Sequence, residues 1–200
     1  LFYTLHLLIT DEEFKNEYKN YFQYILVDEF QDINNTQYQI IINLTDCCKN
    51  LTIVGDDFQS IFGWRGAKPE FFIDAKDKIE DSKLFKLEEN YRSSTNIVNM
   101  SNDIIKKNTN QIPKVCYSNI ISDIKPIIIK FKNDELEADN IAKICLYYVD
   151  QIKCTFDDIA ILYRAKFISR AIEKALTNLG IPYTIIGSVA FFERREIKDI

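Results

Sequence analysis

The stretch Tyr24–Asp32, with the sequence YILVDEFQD, decides how the rest of the chain is interpreted. Its apolar residues 24–27 are followed at once by two carboxylates, Asp28 and Glu29. A short apolar run bounded by polar residues predicts a buried strand, and open α/β sheets bind ligands at the carboxyl ends of their strands. Asp28 suits a metal ion that bridges phosphates, and Glu29 can orient or deprotonate an attacking water. The alternative is a strand that ends in a solvated acidic turn.

The composition is that of an ordinary globular protein, and it narrows the classes of function. A net charge of -5 argues against a protein that binds nucleic acid by bulk charge, but not against a local groove of aromatics and arginines. The five cysteines show no C-x-x-C spacing and there is one histidine, so we expect reduced thiols, no zinc site and a cytoplasmic protein. The opening residues 1–10, LFYTLHLLIT, are too short to span a bilayer, so we predict an amphipathic helix and no membrane partner.

Apolar runs alternate with helical periods along the chain, which predicts βαβ units and a parallel sheet. The predicted strands are residues 24–27, 51–54, 84–87, 127–131, 159–163 and 183–186. The predicted helices are residues 1–20, 35–47, 70–79, 93–107, 135–151, 169–179 and 194–200. Residues 108–125 are rich in Asn, Ser and Lys and are predicted to be a connecting loop. A change in composition near Leu87–Tyr91 predicts a domain boundary there.

A second stretch, Ile53–Ala67, again places polar side chains after an apolar run. Its sequence is IVGDDFQSIFGWRGA, and the polar residues are Asp56, Asp57 and Gln59. Since they follow the predicted strand at residues 51–54, we expect them at the same edge of the sheet as the first acidic pair.

The same stretch continues into a loop flanked by glycines that carries Phe62, Trp64 and Arg65. Aromatic rings beside an arginine suit stacking on nucleic-acid bases, worth about 1–3 kcal/mol per base. The alternative is that Trp64 fills a domain core, where most tryptophans are largely buried.

A third stretch, Leu87–Ser94, reads LEENYRSS. Tyr91 can stack on a base, and Arg92 can place a planar, always-charged fork on phosphate oxygens. The alternative is an ordinary helix N-terminus with Ser93 or Ser94 as its cap.

The segments ILVDEFQD, VGDDFQSIFGWRGA and LEENYRSS, in this order and spacing, resemble motifs II, III and IV of UvrD/PcrA/Rep-type superfamily-1 DNA helicases. Residues 158–200 resemble the second RecA-like lobe of the same family. Three long motifs in register are far more specific than any one alone. The resemblance implies an α/β protein with parts of two RecA-like (P-loop NTPase) lobes, whose parallel sheets are flanked by helices. Residues 1–86 would be the C-terminal part of the first lobe and residues 87–200 the N-terminal part of the second.

The resemblance also implies a role for individual residues at the ATP site. Asp28 would hold Mg²⁺, and Glu29 would be the catalytic base for the attack of water on ATP. Gln59 would sense the γ-phosphate, Tyr91 would stack near the adenine, and Arg92 would be an arginine finger from the second lobe.

At the DNA site, the resemblance makes Trp64 a base-stacking aromatic in the single-strand track, with Phe62 and Arg65 beside it. Phe62 stands where tyrosine is more usual in the family, which removes a hydroxyl and keeps the ring.

No GxxxxGK[ST] phosphate loop occurs in the sequence, so the backbone cradle for the phosphates is missing from it. The family pattern places that loop before residue 1, and we therefore expect the chain to be the middle of a longer protein and to be inactive by itself. The implied parent is an ATP-dependent 3′ to 5′ DNA helicase of DNA repair or replication, acting on single-stranded DNA and on junctions with duplex. The alternatives are the motor part of a helicase-nuclease and a catalytically silent nucleic-acid-binding fragment.

Overall fold

The computed structural model describes residues 1–19, 21–48 and 50–186. It divides into two compact units, residues 1–126 and 127–200. All residues with an implied role lie in the first unit. The sequence predicts a lobe boundary between residues 86 and 87. This boundary says which residues belong to the sheet of each lobe, and it stays a prediction.

The first unit is built around a parallel pair of strands joined by a helix. Strand β1 (Ile25–Val27) pairs with β2 (Leu51–Ile53), and Ile25 lies opposite Leu51. Helix α3 (Asn35–Cys48) connects them, as a parallel pair requires. The strands predicted at residues 24–27 and 51–54, the helix predicted between them and the parallel sheet are confirmed.

The start of α3 is fixed by reciprocal hydrogen bonds between Asn34 and Gln37. The Gln37 amide donates to Asn34 Oδ1 at 3.0 Å, and the Asn34 amide donates to Gln37 Oε1 at 2.9 Å. This is the capping-box arrangement, which satisfies backbone donors that have no partner inside the helix. It fixes the beginning of α3 directly after the acidic stretch.

An aromatic cluster anchors the turn that follows β1. Phe30 is fully buried, and its ring lies 6.4 Å from that of Tyr38 and 6.2 Å from that of Phe72. The ring of Tyr38 stacks on Phe71 with 4.1 Å between centroids. Aromatic pairs of this kind add about 0.5–1.5 kcal/mol beyond the area that they bury. Because Phe30 follows Glu29 directly, its burial also restricts where Glu29 can lie.

Further helices of the first unit agree in position with the predictions. They are α1 (Phe2–Thr10), α2 (Glu12–Lys19), α4 (Glu70–Ile73), α5 (Ala75–Lys78) and α6 (Thr95–Ile105). The helix predicted over residues 1–20 is interrupted at Asp11, which has an extended backbone, and the one over 70–79 is divided at Asp74. Helices α1 and α2 contact α3.

The second unit has a core between α7 (Asp134–Tyr147) and α8 (Ser169–Asn178). The buried residues of this core are Ala138, Ala142, Cys145, Ile172, Ala175, Leu176 and Ile181. Helix α8 ends as predicted, because Gly180 adopts a φ of 66° and lets the Ile181 amide donate to the Leu176 carbonyl at 2.9 Å. Across the described ranges of both units, no helix is long and apolar enough to cross a membrane.

Four other predicted strands are wrong, at residues 84–87, 127–131, 159–163 and 183–186. None of these segments forms a strand in the part of the chain that the structure describes. In one of them Ile159 and Ile161 pack on the second core while Leu162 is exposed, so the alternation of an extended chain is present without a paired neighbour. A periodic pattern indicates which side chains face a core. It does not show whether a neighbouring strand is present to form backbone hydrogen bonds. The helix predicted over residues 194–200 lies outside the described residues.

Candidate functional site

The two segments that follow β1 and β2 remain hydrogen-bonded to each other beyond the strand ends. The Val54 amide donates to the Val27 carbonyl at 2.8 Å, and the Phe30 amide donates to the Val54 carbonyl at 3.0 Å. These bonds extend the pairing past the strand ends. Asp28, Glu29 and Gln59 therefore lie on loops at the carboxyl ends of neighbouring parallel strands, which confirms their predicted placement.

Glu29 turns the chain sharply at the end of β1. Its φ of 51° and ψ of 41° lie in the left-handed region, which is uncommon for a residue other than glycine. The Glu29 amide donates to Asp28 Oδ1 at 2.8 Å, and the side chains of both residues are exposed. Mg²⁺ is usually bound through one or two carboxylates and keeps several waters, so this exposed pair fits the metal that the resemblance implies.

The side chain of Gln31 joins the two loops. It is 1% exposed, its Nε2 donates to Glu29 Oε2 at 2.7 Å, and its Oε1 accepts the Asp56 amide at 3.0 Å. Both the NH2 group and the oxygen of a buried glutamine side chain need hydrogen-bond partners. A hydrogen bond to a charged carboxylate is among the stronger ones. Sequence reasoning missed Gln31, because a buried glutamine has the same local pattern as an exposed one.

Gly55 gives the Gln31 side chain the space that it needs. A Cβ at this position would lie 2.6 Å from Gln31 Oε1 and 3.3 Å from the Phe30 amide nitrogen. Real Cβ atoms do not come as close as the first of these distances. The glycine that ends β2 is therefore required by the contact between the two loops.

The Asp56 carboxylate holds the turn that contains Gln59. Its Oδ1 accepts the Phe58 amide at 3.1 Å, and its Oδ2 accepts Gln59 Nε2 at 2.8 Å. The exposed Gln59 side chain is thus tethered to a residue whose own amide is bound by Gln31.

Lys114 reaches the same turn from the predicted connecting loop. Its Nζ lies 2.7 Å from Asp56 Oδ1 and 2.5 Å from Asp57 Oδ1. Burial favours the neutral amine, but the two carboxylates outweigh it and raise the pKa of Lys114. Burial likewise raises the pKa of Asp56, and the hydrogen bonds from Lys114 and Gln59 outweigh it, so this pKa lies below its ordinary value. Sequence reasoning missed Lys114, since no local pattern distinguishes it from a loop lysine.

The aromatic loop presents its rings outside the core. Trp64 is 70% exposed, so the alternative that it fills a domain core is wrong. The guanidinium carbon of Arg65 lies 4.5 Å from the Trp64 ring centroid and 5.0 Å from that of Phe62. These cation–π contacts hold the three side chains together. A role for them in stacking on bases stays a prediction.

Tyr91 has an exposed ring and a fixed hydroxyl. Tyr91 is 78% exposed, and its hydroxyl donates to Glu89 Oε2 at 2.8 Å, which raises the pKa of Tyr91. Asn119 Nδ2 donates to the other Glu89 oxygen, Oε1, at 2.6 Å. This arrangement leaves the ring face open to a ligand.

Arg92 is exposed, and the turn around it is held by Asn90. Asn90 Oδ1 accepts the amides of Arg92 at 3.0 Å and Ser93 at 2.8 Å. Ser94 takes the cap position of α6, as the alternative of an ordinary helix N-terminus predicted, and its side chain makes no hydrogen bond to the helix. Within the described ranges no ion pair or hydrogen bond joins Arg92 to Glu29, and its role as a finger stays a prediction.

The described residues form an α/β protein with a cluster of polar side chains at the carboxyl edge of parallel strands, where proteins of this class bind ligands. The family model for the UvrD/REP helicase N-terminal domain matches residues 1–80, and that for the UvrD-like helicase C-terminal domain matches residues 85–200. The chain therefore belongs to the UvrD-like helicase family.

Three curated relatives show the extent of the similarity. ATP-dependent DNA helicase Rep of Buchnera aphidicola subsp. Schizaphis graminum is 39% identical over 97% of this chain and 30% of that protein. Rep of Escherichia coli (strain K12) is 37% identical over 97% of the chain and 29% of its own length. ATP-dependent DNA helicase PcrA of Staphylococcus epidermidis (strain ATCC 12228) is 36% identical over 98% of the chain and 27% of its own length. The chain thus spans less than a third of each of these relatives.

Substitution of Gly55 tests the contact between the two loops. Gly55→Ala should lower the free energy of unfolding of the chain by about 1–3 kcal/mol, because the new methyl group forces Gln31 away from its partners. Urea unfolding followed by circular dichroism measures the change. Gly63→Ala is the matched control, since no heavy atom outside its chain neighbours lies within 4 Å of a Cβ there. Equal stability of the two variants would contradict the close approach of Gln31 to Gly55.

Proposed function

We propose that the chain is part of an ATP-dependent DNA helicase that moves 3′ to 5′ on single-stranded DNA and unwinds duplex at junctions. The observation that carries the proposal is the hydrogen-bonded connection from Glu29 through Gln31 to Asp56 and Gln59. It joins a candidate base for ATP hydrolysis to a candidate sensor of the γ-phosphate. The names of the relatives, ATP-dependent DNA helicases, support the same conclusion.

We assign residues 1–86 to the first RecA-like lobe and residues 87–200 to the second. The assignment is supported by the parallel pair β1–β2 and by the change of matching family model between residues 80 and 85. The sequence holds no phosphate loop, so the chain by itself is expected not to hydrolyse ATP.

The chemistry at β1 divides between two carboxylates. Asp28 would hold Mg²⁺, which when bound to ATP neutralises charge on the phosphates. Glu29 would orient or deprotonate the attacking water, and Gln31 keeps one oxygen of its carboxylate in place. Gln59, held by Asp56, would contact the γ-phosphate and respond to its loss.

Arg92 would supply positive charge to the transferring phosphoryl group. Such arginine fingers contribute about 10³–10⁵ in turnover in enzymes that use them. The exposed side chain and the Asn90-bound turn support this role, because they leave the guanidinium outside the core on an ordered backbone. The exposed ring of Tyr91 beside it suits stacking on the adenine.

The loop with Phe62, Trp64 and Arg65 would form part of the track for single-stranded DNA. An exposed ring presents a face to any base, and an arginine beside it adds charge that favours the phosphate backbone. The loop follows the Asp56–Gln59 turn directly in the chain, so a change at the γ-phosphate has a short path to the DNA.

Glu29→Gln tests the catalytic assignment in a longer protein that carries this chain together with a phosphate loop. The new amide oxygen can still accept the hydrogen bond from Gln31, while the basic carboxylate is lost. Turnover should fall about 10²–10⁴-fold, and binding of Mg·ATP should be nearly unchanged. Steady-state ATPase assays and nucleotide titration measure the two quantities. The control is Glu135→Gln, an exposed acid of α7, and near-normal turnover of Glu29→Gln would remove Glu29 from catalysis.

Trp64→Ala tests the DNA assignment in the same longer protein. Loss of one stacking ring should weaken binding to an oligothymidylate by about 1–3 kcal/mol and reduce DNA-stimulated ATPase, with nucleotide binding in the absence of DNA retained. Fluorescence anisotropy of a labelled oligonucleotide measures the affinity. Tyr3→Ala removes an aromatic ring from α1 that is also exposed, and it should have no effect. Unchanged DNA affinity of Trp64→Ala would exclude the ring from the track.

A further inference from the structure

Lys114 is a largely buried lysine at the edge of the candidate site. Its side chain is only 12% exposed, whereas lysines are almost never buried unless they are paired. Two carboxylates form ion pairs with it, because Asp56 and Asp57 both contact its Nζ. The side chain of Asp57 is itself 1% exposed, so this is an interior ion pair and not a surface one.

Three residues of the turn after β2, Asp56, Asp57 and Phe58, contact the segment around Lys114. Beyond the two ion pairs, the Ile112 amide donates to Asp57 Oδ2 at 2.8 Å. The Lys114 Nζ also lies 3.9 Å from the centroid of the Phe58 ring, within the range of a cation–π contact. Removal of the lysine charge would leave Asp57 buried without its cation, which is strongly unfavourable.

The ion pair between Lys114 and Asp56 connects two parts of the chain that match different family models. Lys114 lies in the region that matches the C-terminal domain, and the Asp56–Phe58 turn lies in the region that matches the N-terminal domain. The two partners are 58 residues apart in the sequence. Asp56, in turn, holds the side chain of Gln59.

We propose that Lys114 is a positioning residue for ATP hydrolysis: it fixes Asp56 and thereby the candidate γ-phosphate sensor Gln59, and it couples that sensor to the segment after α6. The inference rests on the proposed function. Lys114 acts through Asp56 and does not itself touch the nucleotide. A lysine with a purely structural role would change stability alone, whereas a positioning lysine changes how strongly DNA stimulates turnover.

The test uses a longer protein that carries this chain and a phosphate loop, with Lys114→Met, ATP and an oligothymidylate. DNA-stimulated kcat should fall about ten- to hundredfold, the range of a charge-assisted hydrogen bond, with the KM for ATP changed less than about twofold. Lys114→Arg should recover most of the activity, because a guanidinium can pair with both carboxylates. Lys106→Met is the control, since among the residues that the structure describes Lys106 pairs with the exposed Asp103 alone, and its kcat should be unchanged.

Thermal unfolding establishes whether Lys114→Met is folded. If it is not, Asp56→Asn carries the test: it removes the charge that faces Lys114, its oxygen can still accept the Phe58 amide, and its NH2 group can no longer accept Gln59 Nε2. It should reduce DNA-stimulated kcat in the same way, and a folded double variant should lose less than the two single losses combined. Wild-type kcat in folded Lys114→Met, or in Asp56→Asn, overturns the inference.

The outcome for the unsubstituted protein separates this inference from the proposed function. If that protein shows no ATPase stimulated by single-stranded DNA, the proposed function fails and the role of Lys114 fails with it. If stimulation is present and Lys114→Met keeps it in full, only the role of Lys114 is wrong.

Discussion

The buried side chain of Gln31 donates to Glu29 and accepts from the Asp56 amide, and the relative position of the two strand-end loops depends on these two hydrogen bonds. Both ends of the amide are satisfied only while β1 and β2 lie parallel and adjacent. An unsatisfied buried polar group costs about 1–3 kcal/mol, so displacement of either loop is unfavourable. Gly55 leaves the space for this contact, and the buried Phe30 ring anchors the turn from the other side.

The carboxylates next to the ends of the two strands have different surroundings. Beyond β2, Asp56 and Asp57 share the ammonium group of Lys114, and the pKa of Asp56 is lowered accordingly. Beyond β1, Asp28 and Glu29 are exposed and, among the residues that the structure describes, have no cationic partner. The carboxylates that pair with Lys114 hold the turn after β2, whereas those after β1 accept hydrogen bonds from the Glu29 amide and from Gln31 Nε2.

The sequence predicted the part of the fold that depends on local pattern. Apolar runs indicated β1 and β2, a helical period indicated α3, and the acidic residues that follow the runs indicated the edge of the sheet on which the site lies. The contacts of Gln31 and Lys114 were not predictable in this way, because their partners at Asp56 lie 25 and 58 residues away in the chain. The same limit explains the wrong strand at residues 127–131, since Ile127 and Ile128 are exposed and an apolar run cannot specify what it packs against.

The central claim is that Gln31 holds the candidate base and the sensor loop in one arrangement. The most direct measurement is DNA-stimulated ATP turnover of Gln31→Met at saturating ATP and single-stranded DNA, in a longer protein with a phosphate loop. Methionine has a similar length and cannot make either hydrogen bond. A folded variant should lose turnover by about tenfold or more with little change in the KM for ATP, since hydrogen bonds to charged groups are worth about 1.5–3 kcal/mol. A folded variant with wild-type turnover would contradict the claim.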